Sequence, residues 1–269
     1  MFENSKYNNT QLMYSANSSL ADNSRSLYNN WAFAYPVSKE GIELWLDFMQ
    51  EHILKHLPKE AHLLDIGCGK GEIVKSLIDK GYQVTGLDIS EEMLHYAREN
   101  VPNGQFIRDD IRFCKLPSNF DAIVSSNNVF SYILTLEDLT KAFQNVFSSL
   151  GKNGWFGFDL SEGERASDPS NSVEDEFIGE IADDYVWLQH SSHSPDGKSC
   201  QVKHVTFRLL NGNWERSDVN FAQRGYSRSE VESALEKVGF EKVTIYDLAK
   251  DFPINILKDS RIIYVFRKP

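Results

Sequence analysis

Leu63-Leu64-Asp65-Ile66-Gly67-Cys68-Gly69-Lys70-Gly71 is a short apolar run that ends beside an acid and then alternates three glycines with other residues. His62 to Ile66 reads as a buried strand. The glycines let the backbone turn sharply and approach a ligand closely, and the apolar spacing of Ile73, Leu77 and Ile78 predicts a helix immediately after. A dinucleotide cradle wants G-x-G-x-x-G, which would place its third glycine at position 72, where Glu72 stands. A carboxylate at that helix start would also repel a pyrophosphate. The bend therefore suits a cationic, amine-bearing ligand better than a diphosphate.

Outward from this bend the chain alternates strand and helix. Gln83 to Leu87 is a second strand, and Ser90 is placed to cap a helix whose first turn carries Glu91 and Glu92. Gln105 to Ile107 and Asp121 to Val124 are further strands, and Leu136, Leu139, Phe143, Val146 and Leu150 mark a helix before a fifth strand, Gly154 to Phe158. Such alternation predicts an α/β fold with a doubly wound, seven-stranded, mostly parallel sheet. Val243 to Ile245 and Ile262 to Phe266 supply its last two strands, after a helix from Ser229 to Val238 that closes at Gly239.

Between about 161 and 225 the beat changes. A Ser-, Glu- and Asp-rich loop containing Glu174-Asp175-Glu176 leads to three half-exposed alternating runs, with turns at Pro195-Asp196-Gly197 and Asn211-Gly212. This is read as a small antiparallel β insert. Upstream, residues 1 to about 26 are rich in Asn and Ser and read as a flexible arm. The aromatic segment Leu27 to Pro36 follows, and then a helix through Ile42, Trp45, Leu46, Met49, Ile53 and Leu57 that Pro58 stops. The resulting division is an arm (1–26), a ligand-binding α/β domain (27–160 and 226–269, with 27–58 as a helical cap) and the β insert (161–225), expected to form the substrate wall.

Bulk composition narrows the function classes. Asp plus Glu number 39 against 28 Lys plus Arg, a net charge of −11, and no basic stripe is evident, so nucleic acid is disfavoured as a partner. No run approaches the ~18 apolar residues of a membrane span. The N-terminus lacks the apolar stretch of a signal peptide, and Cys68, Cys114 and Cys200 show no CxxC spacing. A cytoplasmic protein with reduced thiols is expected. His52 and His56 lie four apart but lack a third ligand and the glutamate of a metalloprotease helix, so no metal is expected.

The segment from Leu63 to Gly71 resembles the first motif of the class I S-adenosylmethionine-dependent methyltransferases. That resemblance implies that Asp65, Gly67, Cys68, Gly69 and Gly71 hold the methionine part of S-adenosyl-L-methionine. Asp88, 19 residues after Gly69, would accept both ribose hydroxyls, with Ile89 and Met93 beside it. Arg108-Asp109-Asp110-Ile111-Arg112 resembles the acid-plus-apolar step after the third strand. Asp110 would bond the adenine amine and Ile111 cover the ring; Asp109 is the alternative register. Phe120 to Tyr132 resembles the fourth motif and brings Asn127 and Asn128 to the cofactor, with Asn128 standing where many relatives carry Asp. The aromatic entry with Tyr28 and Tyr35, and the β insert after the fifth strand, are similar to small-molecule methyltransferases that include amino-sugar N-methyltransferases, a resemblance that places Tyr28 against the cofactor.

Methyl transfer from an activated sulfonium needs alignment of the nucleophile and exclusion of water more than it needs a strong base. Tyr132, just past the fourth strand, is the first candidate for a catalytic side chain. His190 of the insert is the second, and Tyr28, Tyr35 and Tyr226 lie near the expected mouth. The expected activity is transfer of a methyl group to a nitrogen or oxygen of a small molecule. A tRNA or protein methyltransferase, and a non-catalytic S-adenosylmethionine-binding module, are the alternatives.

Overall fold

A computed structural model of the chain describes residues 19–163, 176–194, 198–248 and 261–269. Five parallel strands form the heart of the larger sheet: β1 (His62–Ile66), β2 (Gln83–Asp88), β3 (Gln105–Arg108), β4 (Phe120–Ser125) and β5 (Leu150–Ser161). β10 (Glu241–Asp247) and β11 (Arg261–Arg267) complete it in the order β10-β11-β5-β4-β1-β2-β3, with β11 antiparallel to both neighbours. The chain direction across the sheet reverses between β1 and β4. In open α/β sheets a crevice forms at that switch point, outside the strands' carboxyl ends.

The strands are apolar on both faces because helices cover both. On one side α2 (Lys39–His52), α3 (Glu72–Asp79) and α4 (Glu91–Asn100) accompany a core of Met49, Ile53, Leu63, Val74, Val124 and Val265. On the other, α5 (Leu136–Ser149) and α6 (Arg228–Val238) cover an aromatic core in which the rings of Phe156 and Phe158 stack 4.7 Å apart and Phe158 and Tyr264 stack at 5.0 Å. The caps follow the sequence. Ser90 Oγ accepts the Met93 amide at the start of α4, Ser227 and Glu230 form a reciprocal capping box, and left-handed Gly239 ends α6.

The second sheet is four-stranded and antiparallel, in the order β6 (Glu176–Ile181), β7 (Tyr185–His193), β8 (Ser199–Leu210) and β9 (Asn213–Arg224). Asn211 and Gly212, both at positive φ, make the two-residue turn between β8 and β9 that their sequence announces.

Four expectations are corrected. Helix α1 (Ser19–Trp31) begins inside the stretch read as a flexible arm, held by the buried side chains of Leu27 and Trp31 on the second sheet. The helix expected to reach Leu57 ends at His52, because Ile53 leaves helical geometry at φ −129 and a short 3-10 turn, Leu54–His56, buries Leu54 on the way into β1. β5 is longer than Gly154 to Phe158. The edge strand β6 lies where a loop was expected; its side chains are mostly exposed, so no burial alternation marks it. Residues 1–18 of the arm, Glu174, Asp175 and the turn Pro195-Asp196-Gly197 lie outside the described residues.

Candidate functional site

The crevice at the switch point is a cavity whose floor is the glycine bend between β1 and α3. Gly67, Gly69 and Gly71 all take positive φ (71, 53 and 85 degrees), which is the conformational reason for glycine at these places. Their roles divide. A Cβ on Gly67 would come within 2.4 Å of Val129, and one on Gly71 would press on Ala97 and Val101, whereas one on Gly69 would meet nothing within 4 Å. Gly67 and Gly69 line the cavity. Gly71, expected to contact cofactor, is not part of that lining; it caps α3 and packs toward α4.

Two acids stand over the bend. Asp88, at the end of β2, accepts the amide of Gly69 at 2.9 Å through Oδ2 and that of Ser90 at 2.9 Å through Oδ1. Burial raises its pKa, and backbone N–H groups pull it back. Asp65 is 1% exposed, and its Oδ1 is buried without a hydrogen-bond partner among the described residues. Burial first, and then the nearby carboxylates of Asp88 and Glu72, hold its carboxyl well above the usual range. A buried carboxylate oxygen lacking a donor is costly, and a ligand ammonium placed there would supply one.

At the end of β3 the two adjacent acids separate. Asp110 grips Arg112, whose Nε lies 3.0 and 3.1 Å from its two oxygens, and its Oδ1 also caps the Arg112 amide at 2.9 Å. Asp109 uses Oδ1 on the Asp110 amide, 2.8 Å away. Both acids, Ile111, Ile89, Met93 and Cys68 line the cavity.

Helix α1 forms another wall. Tyr28 and Tyr132 share a hydrogen bond of 2.6 Å between their hydroxyls, and Tyr35 meets Tyr28 edge-on with centroids 5.7 Å apart. Tyr132 also has a side-chain hydrogen bond with Gln223 of β9, so α1, the turn after β4 and the second sheet meet at one phenol. Burial pushes the pKa of all three tyrosines up, which keeps them neutral. α1 is anchored over α4 as well: Asn29 Oδ1 accepts from Ser90 Oγ at 2.7 Å.

Past β4, Asn127 and Asn128 are consecutive left-handed residues, both at φ 62. Asp159 on β5 holds this turn, accepting the Asn127 amide at 3.2 Å and the Asn128 amide at 2.7 Å, and pairs with Arg261 at 2.9 Å. Asn127 lines the cavity. The Asn128 side chain instead accepts the Ser161 amide at 2.8 Å and stays out of the lining, because it substitutes for a missing strand partner.

Two further candidates are not brought to the site. His190 stacks on Phe177 with centroids 4.3 Å apart and does not line the cavity, because the sheet's alternation directs it away from Trp187 and the inner face. Tyr226 is fully buried and donates to the Ile133 carbonyl. His52 packs with Phe48 and Tyr246, while His56 stacks on Trp155. Asp159, Arg261, Trp45, Phe48, Leu248 and Ile263 also line the cavity and were not foreseen. Asp159, an acid at the carboxyl end of a parallel strand, could have been found by the rule that located Asp88. Arg261 opens an antiparallel strand and carries no such signal.

Against known proteins, the family described as "Methyltransferase domain" matches residues 63–154, which hold the bend, Asp88, the acid pair and β4. Residues 63–154 thus carry a methyltransferase domain, and the chain resembles the class I methyltransferases. The protein YqeM of Bacillus subtilis (strain 168), named as a methyltransferase, is 29% identical over 80% of this chain and 87% of its own length. A dTDP-3-amino-3,4,6-trideoxy-alpha-D-glucopyranose N,N-dimethyltransferase of Streptomyces venezuelae is 29% identical over 61% of this methyltransferase and 62% of its own length. In fold, an S-adenosylmethionine-dependent methyltransferase from Clostridium acetobutylicum ATCC 824 superposes with a TM-score of 0.70 at 19% identity, covering 90% of this chain and 96% of that one. The fold of this chain matches the expected seven-stranded sheet with a separate antiparallel layer.

Proposed function

We propose that this methyltransferase moves a methyl group from S-adenosylmethionine to a nitrogen or oxygen of a small molecule. The observation that carries the reading is Asp65 Oδ1, buried at the edge of the cavity with no donor among the described residues. An α-amino group fits there. Asp88 offers its remaining lone pairs to a ribose, and the open space over Gly69 admits close approach of a ligand. S-adenosylmethionine bound there would supply an activated sulfonium methyl carbon.

The remaining work falls to this chain's own groups. Tyr28, Tyr35 and Tyr132 close one side of the cavity and exclude water. Tyr132 is a neutral phenol, so its role is to orient the attacking atom by hydrogen bonding rather than to remove a proton. The Asp159 carboxylate fixes the turn that carries Asn127 into the wall. A net charge of −11 opposes an RNA acceptor. The named activity of the Streptomyces venezuelae relative, on an amino sugar, supports a small acceptor.

We also place the protein in the cytoplasm, in keeping with its free cysteines. Among the described residues no helix is long and apolar enough to cross a membrane.

Calorimetric titration with S-adenosylmethionine, S-adenosylhomocysteine and NAD tests the reading. The first two should bind and NAD should not. Binding of NAD alone would overturn it. Tyr132→Phe should lower kcat without changing the shape of its pH profile; loss of an ionisation in that profile would make Tyr132 a base.

A further inference from the structure

The cavity extends beyond the cradle, and the character of its extra wall bears on the acceptor. This inference rests on the function proposed above. Ile42, Trp45 and Phe48 of α2 line it, with Leu248 and Ile263, and these five belong to one apolar cluster. Charge is arranged unevenly around this surface. Among the described residues, six carboxylates line the cavity (Asp65, Glu72, Asp88, Asp109, Asp110, Asp159) against three cations (Lys70, Arg112, Arg261).

Each cation is already engaged. Lys70 Nζ donates to the Tyr35 carbonyl at 3.0 Å, Arg112 is forked onto Asp110, and Arg261 holds Asp159 at 2.9 Å. A phosphate-bearing acceptor would have to compete with these carboxylates. Displacing Asp159 from Arg261 would leave a 3%-exposed carboxylate beside the incoming anion, while that carboxylate still has to hold the Asn127–Asn128 turn. Such a competition is unfavourable on both counts. The nucleotide-linked amino sugar in the name of the Streptomyces venezuelae relative has no evident place here.

We propose that the methyl acceptor is an amine on an apolar, unphosphorylated body. The faces of Tyr28, Tyr35 and Tyr132 attract its ammonium form, and Ile42, Trp45 and Phe48 house the body. The ammonium first gives a proton to solvent. The amine lone pair then forms the N–C bond as the S–C bonding pair passes to sulfur, and the product leaves as the methylated ammonium.

A charge-matched series tests this by titration into the protein saturated with S-adenosylhomocysteine: phenethylamine, 3-phenylpropionate and phenyl phosphate, with thymidine diphosphate as a nucleotide probe. Phenethylamine should bind about tenfold tighter than either anion, and thymidine diphosphate should not bind. Phe48→Ala, and Phe48→Leu should the first fail to fold, should weaken phenethylamine about fivefold or more while leaving the S-adenosylhomocysteine Kd within about twofold. Equal or tighter binding of phenyl phosphate or thymidine diphosphate overturns the proposal. So does absence of phenethylamine binding, or binding indifferent to Phe48. Failure of S-adenosylhomocysteine itself to bind would instead sink the methyltransferase reading of the site.

Discussion

Asp88 and Gly69, nineteen positions apart, are joined by a hydrogen bond from the Gly69 amide to the Asp88 carboxylate at 2.9 Å. The acid proposed to hold the ribose thus also fixes the loop proposed to hold the methionine part. Removing it should damage both subsites together. Asp88→Ala is expected to weaken S-adenosylhomocysteine binding by about 100-fold, the scale of two lost charge-assisted hydrogen bonds. Calorimetry on the folded variant checks this, and unchanged affinity would refute the ribose assignment.

The first two glycines of the bend should respond differently. Gly67→Ala forces a Cβ to within 2.4 Å of Val129 at positive φ, so it should destabilise the fold by roughly 2 kcal/mol or more. Gly69→Val enters open cavity space and should cost the fold only about 1–2 kcal/mol of left-handed strain, yet abolish cofactor binding. Denaturant melts beside ligand titrations separate the two outcomes.

Asp65 links binding to protons. Its carboxyl sits well above the usual range, chiefly because burial disfavours the charge. A ligand ammonium stabilises the ionised form and so lowers that pKa. Binding should therefore release protons wherever the empty site is partly protonated, and affinity should fall as pH drops through the raised pKa. Titrations in buffers of different ionisation enthalpy read the release directly, and Asp65→Asn should remove it. A buffer-independent heat in the wild type would contradict this linkage.

The acid pair after β3 makes a third contrast. Asp110 commits both oxygens to Arg112, whereas Asp109 spends one on a backbone amide. Asp109→Asn should weaken cofactor binding about tenfold with little loss of stability. Asp110→Asn should mainly loosen the Arg112 turn. That pattern would favour the alternative register, with Asp109 on the adenine; the opposite pattern would favour Asp110.

His204 predicts a pH effect on stability. It is fully buried on β8, with the ring of Trp31 at 4.7 Å and that of Trp187 at 5.7 Å, and neither ring nitrogen has a partner among the described residues. Burial alone lowers its pKa from 6.5 to about 4. The unfolded chain therefore binds the extra proton first, and stability is lost as pH falls from about 6.5 toward 4, by about 3 kcal/mol in the limit. His204→Phe should flatten that slope in denaturant melts between pH 7 and 4.5.

The parallel sheet was legible because its signals are local. A strand buried on both faces is a continuous apolar run, and the glycine bend and Ser90 cap are fixed by backbone geometry within a few residues. The cavity lining was legible where it stays on those turns, at Asp65, Gly69 and Asp88. Legibility fails where tertiary contact decides. α1 looks too polar to be ordered, yet Leu27 and Trp31 find a surface on a sheet whose contacting residues, Trp187 to Phe221, lie far along the chain. β6 is an edge strand whose mostly exposed side chains leave no alternation to read. Asn128 matches a motif position, but its side chain is taken by Ser161 of the neighbouring strand. Arg261 reaches the cavity from a strand with no motif of its own.

Helix α1 touches the donor side through Tyr28 and Asn29 and the second sheet through Trp31. The two halves of the molecule are consequently not modular. A chimera built to change acceptor preference, whose grafted second sheet lacked the Trp187 ring and Gln223, would leave Trp31 and Tyr132 without those partners. Such a chimera would lose donor affinity along with its new selectivity unless residues 19–35 travelled with the graft.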